Sequence, residues 1–293
     1  MSDLLDEILI ELKERRGVDF RAYRRGILES QLTARMTQMQ CAEGQVYLGQ
    51  LRQNPKECDA LLDAFTINVS CFFRNPLVFE LLAQRILPEL LESKRAAGGR
   101  ELRIWSAGCA SGEEPYSVAI LLRELLAPEQ QEWMIHIFAT DIDDGPLGLG
   151  RQGLYSEDRL EDAKLGFIQK YFRPQGDIFE ILPEICDMVC FSRDDLTSAK
   201  LGAPTDSVFG GFDLILCRNV LIYLELDFQR KVCEKLSRAL NGGGYLILGE
   251  AERLPQGMNS KLAIVDNANR IYRKNAGGRF LGRIGAPMGD DDE

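Results

Sequence analysis

The sequence predicts an α/β protein, an open and mostly parallel sheet covered by helices on both faces, preceded by a small all-helical unit. From residue 3 to about 65 every clear apolar period is helical, and after Gly99 short apolar strands alternate with helices. The first of those strands runs straight into a glycine-containing turn that opens a helix. At 293 residues the chain exceeds one average domain, and the larger of two can bury a full core.

In chain order, Leu4, Leu5, Ile8, Leu9 and Leu12 share one helix face, and Leu28, Leu32, Met36 and Met39 share another. Asn54-Pro55 interrupts this unit, and a further helix from about Pro55 to Phe65 carries Leu61, Leu62 and Phe65. Asn75-Pro76 reads as an N-cap with proline at the first helical position, opening a helix through Phe79, Leu82, Ile86 and Leu90 that Gly98-Gly99 closes. Strands are predicted at 102–107, 135–140, 188–192, 212–217, 243–249, 262–266 and 270–273, and helices near 115–127, 144–150, 165–172 and 225–240. The alternation of Ile178, Glu180 and Leu182 after a Gly176-Asp177 turn predicts a small antiparallel excursion over about 173–190. The expected division is 1–75 for the helical domain with its linker, 76–275 for the sheet domain and 276–293 for a flexible, glycine-rich, acidic tail.

Composition narrows the function. A net charge of -10 argues against general nucleic-acid binding. Arg15, Arg16, Arg21, Arg24 and Arg25 still make a local basic stretch, readable as a steering face for an acidic partner or as ordinary solvated surface. The eight cysteines form no CxxC pair, and Cys186 and Cys190, the closest two, have no histidine beside them. They read as reduced thiols, with no metal site. The single histidine, His136, sits in the apolar run Ile135 to Ala139, where a core or edge position fits it. Serine-type triads and most zinc hydrolases, which need a histidine, are thereby disfavoured. No apolar run is long enough to span a bilayer and no signal-peptide pattern opens the chain, so a cytoplasmic protein is expected.

The turn from Ser106 to Ser117 reads Ser-Ala-Gly-Cys-Ala-Ser-Gly-Glu-Glu-Pro-Tyr-Ser. Its spacing is not the dinucleotide GxGxxG, and two acids at the helix entrance would repel a pyrophosphate. A cationic sulfonium with an amino-acid end suits it better, with Gly108 letting the backbone approach. Glu114 reads either as a capping-box partner of Ser111 or as a ligand contact. A helix starting at Pro115 would favour the second reading, because Glu114 would then lie off the helix. Asp141, ending the second strand, stands where Rossmann-like folds hold ribose hydroxyls, although an acid there also serves as a turn former. Asp143 and Asp144 read as caps of the next helix.

Between the domains, Thr66 to Arg74 alternates so that an extended chain would aim Thr66, Asn68 and Ser70 one way and Ile67, Val69 and Cys71 the other. An edge strand is one reading. The position of these polar groups, two phenylalanines and an arginine between two domains points instead to a ligand cleft.

Four motifs, Thr-x-Asn-x-Ser-x-Phe-Phe-Arg, Trp-Ser-Ala-Gly-Cys-Ala-Ser-Gly-Glu-Glu-Pro-Tyr-Ser, Phe-Ala-Thr-Asp-Ile-Asp and Cys-Arg-Asn-Val-Leu-Ile-Tyr, resemble in order those of the chemotaxis receptor methyltransferases, the CheR family. The likeness covers about residues 5 to 275. It implies a Rossmann-like class I methyltransferase sheet and S-adenosylmethionine as cofactor, with S-adenosylhomocysteine as product. It also implies that Asn68, Ser70, Arg74, Gly108, Glu114, Asp141, Asp195, Leu196, Arg218 and Asn219 line the cofactor site, with Arg74 and Tyr223 flanking the transferring methyl. The implied reaction is methylation of glutamate carboxylates in the cytoplasmic helices of chemoreceptors. A carboxylate with a pKa near about 4.3 is already anionic at neutral pH, so no histidine base is needed.

The chain departs from the family in places. Ser70 stands for the usual threonine, Glu250-Ala251-Glu252 follows Gly249 where His-Ser-Glu is common, and Gln31 and Thr33 dilute the basic helix. The antiparallel excursion matches the receptor-tail-gripping subdomain of some relatives but looks short, so an enzyme without a tight pentapeptide tether is expected, acting as a monomer and without inserting in the membrane. The competing readings are a methyltransferase for another protein and a non-catalytic cofactor-binding signalling module.

Overall fold

The computed structural model describes residues 2–127, 132–198, 204 and 211–275. The tail expected at 276–293 lies outside them. Helices α1 (Ser2–Arg16), α2 (Arg25–Gln38), α3 (Gly44–Gln53) and α4 (Pro55–Thr66) form the first unit. Leu5, Ile8, Leu12, Leu28, Leu32, Leu61 and Phe65 are its buried centre, and Leu4, Leu9 and Met36 pack at the margin. Met39 leaves the predicted face, because α2 ends at Gln38 and the side chain beyond it is exposed.

α5 (Pro76–Leu81) and α6 (Leu87–Ala96) are joined by a π-helical turn, Leu82–Ile86. Pro88 explains that turn. It has no N–H for the Gln84 carbonyl and its ring crowds that carbonyl, so the chain widens until Leu87 N–H reaches Leu82 O. Asn75 is not the side-chain cap the sequence predicts. It is left-handed, with φ 61°, and its amide is drawn to Arg218 instead.

The second unit then follows: β1 (Glu101–Ala107), α7 (Glu113–Leu125), β2 (Met134–Asp141), α8 (Asp144–Gln152), β3 (Leu154–Ser156), α9 (Leu165–Tyr171), β4 (Phe172–Gln175), β5 (Ile178–Ile181), α10 (Pro183–Cys186), β6 (Val189–Arg193), β7 (Phe212–Cys217), α11 (Leu226–Ala239), β8 (Leu240–Leu248), β9 (Leu262–Asp266) and β10 (Ile271–Lys274). The main sheet has the order β6-β2-β1-β7-β8-β10-β9, its first five strands parallel and β10 antiparallel to both neighbours. Every strand predicted for this sheet is present. Side-chain alternation sorts the core: Ile104, Leu214, Leu216 and Ile247 pack under α5, α6 and α7, whereas Trp105, Ile215, Cys217 and Leu246 pack against Val232, Cys233 and Leu236 of α11.

A second, three-stranded antiparallel sheet has the order β3-β5-β4. β4 and β5 form the predicted hairpin, with Gly176 at φ 63° in the turn. β3 was not foreseen, because three residues carry no readable period and their partner lies beyond an intervening helix. His136 is neither in the core nor on an edge strand. It sits on β2, inside the sheet order, with its side chain exposed. Among the described residues no helix is long and apolar enough to cross a membrane.

Candidate functional site

The sheet order reverses at β1, with β2 on one side and β7 on the other, and such a switch point opens a crevice at the carboxyl ends of the strands. The cleft there is lined by Asn68, Ser70 and Arg74 from the interdomain segment and by Gly108 and Glu114 from the turn after β1. Asp141 ends β2, Asp195 and Leu196 follow β6, and Arg218, Asn219 and Tyr223 follow β7. Every residue that the family resemblance assigns to the cofactor and methyl-transfer sites thus lines one cavity.

The turn after β1 differs in detail from its prediction. α7 begins at Glu113, with Gly112 at its N-cap, so Pro115 is the third helical residue and not the first. It still needs no partner, since the first-turn N–H groups have none within the helix. Ser111 does not cap the helix; its hydroxyl donates to Glu113 Oε1 at 2.8 Å. Glu114, inside the helix, instead accepts from Ser106 Oγ at 2.7 Å and from Arg218 Nη1 at 3.2 Å. The glycines also have a reason the sequence did not show. A Cβ on Gly108, at φ 78°, would lie 2.3 Å from Val220 Cγ2, and one on Gly112, at φ 90°, would lie 2.6 Å from Phe191 Cζ. Protein side chains, besides any ligand, exclude larger residues there.

The Thr66 to Arg74 segment is not a strand. Ile67 and Phe73 have φ of 48° and 57°, rare for such side chains, and Ile67 lines the cleft with Ala110 (47°) and Asn219 (61°). Tertiary bonds hold the shape. Asn68 Nδ2 donates to Thr66 Oγ1 at 2.8 Å and to Asp143 Oδ2 at 3.1 Å, leaving its carbonyl oxygen for the cavity. Arg159 Nη1 donates to the Ser70 carbonyl at 2.6 Å and to Glu113 Oε1 at 3.2 Å, while the Phe73 N–H donates to Ser117 Oγ at 2.9 Å. The Ser70 hydroxyl serves Glu113, whose carboxyl burial pushes above the ordinary range. Arg74 Nη1 donates to the Val69 carbonyl at 2.9 Å.

Asp141 serves as the turn former that one of its two sequence readings expected. Its Oδ2 accepts from the Ala110 N–H at 2.9 Å and its Oδ1 from the Asp143 N–H at 3.1 Å, tying the glycine turn to the end of β2. Burial pushes its carboxyl up to about 6. Asp143 caps α8 through the Gly145 N–H at 3.0 Å, and Asp144 is the first residue of that helix. Asp195 Oδ1 accepts from both the N–H and the hydroxyl of Thr197.

Three contributors escaped the sequence reading. Glu252, 3% exposed, accepts backbone N–H groups from Asn219, Leu221, Ile222 and Gly249 and so shapes the loop that carries Arg218 to Tyr223. Its only signal was its place after Gly249. Arg159 acts on the linker from a 3-10 turn, and Tyr23 enters the cleft from the helical unit. Neither carries a local motif.

The chemistry of this set fits S-adenosylmethionine. Asp141 and Glu114 both line the cavity, the first a carboxylate of the kind that accepts from ribose hydroxyls and the second one that suits an ammonium. Burial pushes the Tyr223 phenol up, and the Arg74 charge, which lines the same cavity, partly offsets that push. Among the described residues no cluster of ligating side chains could hold a metal ion.

Comparisons with known proteins agree with this geometry. Residues 68–271 match the family model "CheR methyltransferase, SAM binding domain", and residues 3–66 match "CheR methyltransferase, all-alpha domain". The chain is 33% identical over 255 residues to the chemotaxis protein methyltransferase of Listeria innocua serovar 6a, covering 86% of this chain and 90% of that one. It is 31% identical over 245 residues to the chemotaxis protein methyltransferase of Salmonella typhimurium, covering 82% and 80%. It is also 31% identical over 256 residues to an uncharacterized 104.1 kDa protein of Rhodobacter capsulatus, of which it spans 26%.

Proposed function

The chain belongs to the CheR methyltransferase family, and on that premise we propose that it methylates glutamate side chains in the cytoplasmic helices of chemoreceptors for sensory adaptation. The products are glutamate methyl esters and S-adenosylhomocysteine. The observation that carries this reading is that Arg74 and Tyr223 line one cavity whose walls suit the methyl donor. The names of the Listeria and Salmonella relatives support the chemotactic setting.

Bound S-adenosylmethionine supplies an electrophilic methyl group on a sulfonium that carries its own leaving group. The protein therefore has to orient, and no proton has to move. A glutamate carboxylate forms the new C–O bond as the S–C bond breaks, and the Arg74 guanidinium holds that carboxylate in line. Tyr223 walls the transfer pocket and excludes water. Asn68, Ser70, Gly108, Glu114, Asp141, Asp195, Leu196, Arg218 and Asn219 hold the donor, with Asp141 at the ribose. In this reading residues 1–75 supply the receptor-facing helices and the linker, and residues 76–275 supply the donor site.

The two-residue turn between β4 and β5 leaves the small sheet without a long loop, which supports an enzyme with no tight pentapeptide tether. Calorimetry showing micromolar binding of a receptor C-terminal pentapeptide would overturn that part. The reaction is tested with tritiated donor and receptor fragments: release of base-labile methanol is expected. Base-stable label indicates another acceptor, and donor binding without transfer indicates a signalling module.

A further inference from the structure

We propose that the Tyr23 hydroxyl bonds to the nucleoside part of the methyl donor, so that the donor site is built from both units of the chain. This rests on the donor reading of the cleft given above.

Tyr23 follows the 3-10 turn Phe20–Ala22 and is held from three sides. Its ring meets Phe20 edge-on, with centroids 4.9 Å apart, and Phe20 meets Phe65 in the same way at 5.3 Å. Its backbone forms an antiparallel bridge to Leu224. On either side the Arg24 N–H donates to the Tyr223 carbonyl at 2.8 Å and the Glu225 N–H to the Ala22 carbonyl at 2.8 Å. The helical unit is thereby sewn, main chain to main chain, onto the segment that carries Tyr223.

This anchoring delivers the Tyr23 side chain into the cleft with Asp141, Asp195 and Leu196. Among the described residues its hydroxyl has no hydrogen-bond partner, although its ring is packed and its surroundings are polar. Tyr23 is half-buried and lines the cleft, so a ligand that fills the cleft meets a hydroxyl whose donor is not already engaged by the protein. Burial and the charges of Asp141, Asp195 and Asp143 raise the phenol above its ordinary range, so it stays protonated and able to donate. In open parallel sheets the acid that ends the second strand marks the ribose. Tyr23, beside Asp141, stands at the nucleoside end of the cleft, and Arg74 and Tyr223 serve the methyl end.

The test is calorimetry on the full chain with S-adenosylmethionine and with 5′-methylthioadenosine, which lacks the amino-acid end. Tyr23→Phe keeps the ring and its packing, so it isolates the hydroxyl. Both ligands are expected to lose about fivefold in affinity. An unchanged Kd for both ligands in Tyr23→Phe overturns the proposal, as does a loss confined to S-adenosylmethionine or a fall in kcat without a change in Kd. A wild-type chain that binds neither ligand overturns the donor reading itself, which keeps the two failures apart.

Discussion

Arg218 donates through Nη1 to Glu114 Oε2 at 3.2 Å, and through Nη2 to Asn75 Oδ1 at 2.7 Å and the Arg74 carbonyl at 2.8 Å. One buried guanidinium therefore knots the end of β7, the start of α7 and the interdomain segment. Arg218→Ala would leave the Glu114 carboxylate buried without its cation. The expected loss is about 3–5 kcal/mol in urea unfolding, accompanied by loss of donor binding. Arg218→Lys should not rescue it, because a point charge cannot serve both branches of the fork. An unfolding free energy equal to wild type would show that the knot holds nothing.

Glu252 gathers four backbone N–H groups onto one carboxylate. Glu252→Ala strands these donors out of water, and stability should fall by about 3 kcal/mol. The Arg218 to Tyr223 loop would loosen with it. Hydrogen exchange at Leu221 and Ile222 checks this: their protection should drop more than that of β1, and equal loss throughout would instead mean global destabilisation only.

Asp141 gives a pH dependence with two opposite signs. Its folded pKa of about 6 lies above the ordinary carboxylate value of 3.8, so its contribution to stability is present below that value and is lost as pH rises through about 6. Donor binding runs the other way, because ribose hydroxyls need the ionised carboxylate. Below about pH 6 the donor Kd should rise by about tenfold per pH unit, and Asp141→Asn should bind weakly at every pH without that slope. Calorimetry between pH 5 and 8 distinguishes the two curves. A wild-type Kd flat across this range would remove Asp141 from the donor site.

Among the described residues the Arg74 guanidinium makes one hydrogen bond, to the Val69 carbonyl, so it keeps donors for an incoming carboxylate. Arg74→Ala should reduce single-turnover methyl transfer by about 100-fold, with a far smaller change in stability. Unchanged single-turnover rates would end its orienting role.

Much of this was legible in the chain. Periodic apolar residues marked every strand of the main sheet, and chemistry-bearing residues fell at the carboxyl ends of β1, β2, β6 and β7. Misreadings came where a local rule met a tertiary bond. Asn75 gave up its cap for Arg218, and Pro115 took the third helical position because Gly112 turned the chain first. Alternation left an edge strand open as one reading of the linker, because it says nothing of Arg159, which holds the Ser70 carbonyl from a distant turn.

Arg218, Asn219 and Tyr223, like Glu114 and Asp141, could be named from the sequence because motif residues lie close along the chain and strand order then carries them to one edge. Tyr23 and Glu252 could not be. Each reaches the site through backbone bonds to residues remote in sequence, and Tyr23 meets Leu224 only where the helical unit packs on the sheet unit. Local propensity and periodicity determine which elements form and which residues end them. Which distant hydroxyl or carboxylate completes the site is decided by packing between elements, where no short-range pattern leaves a trace.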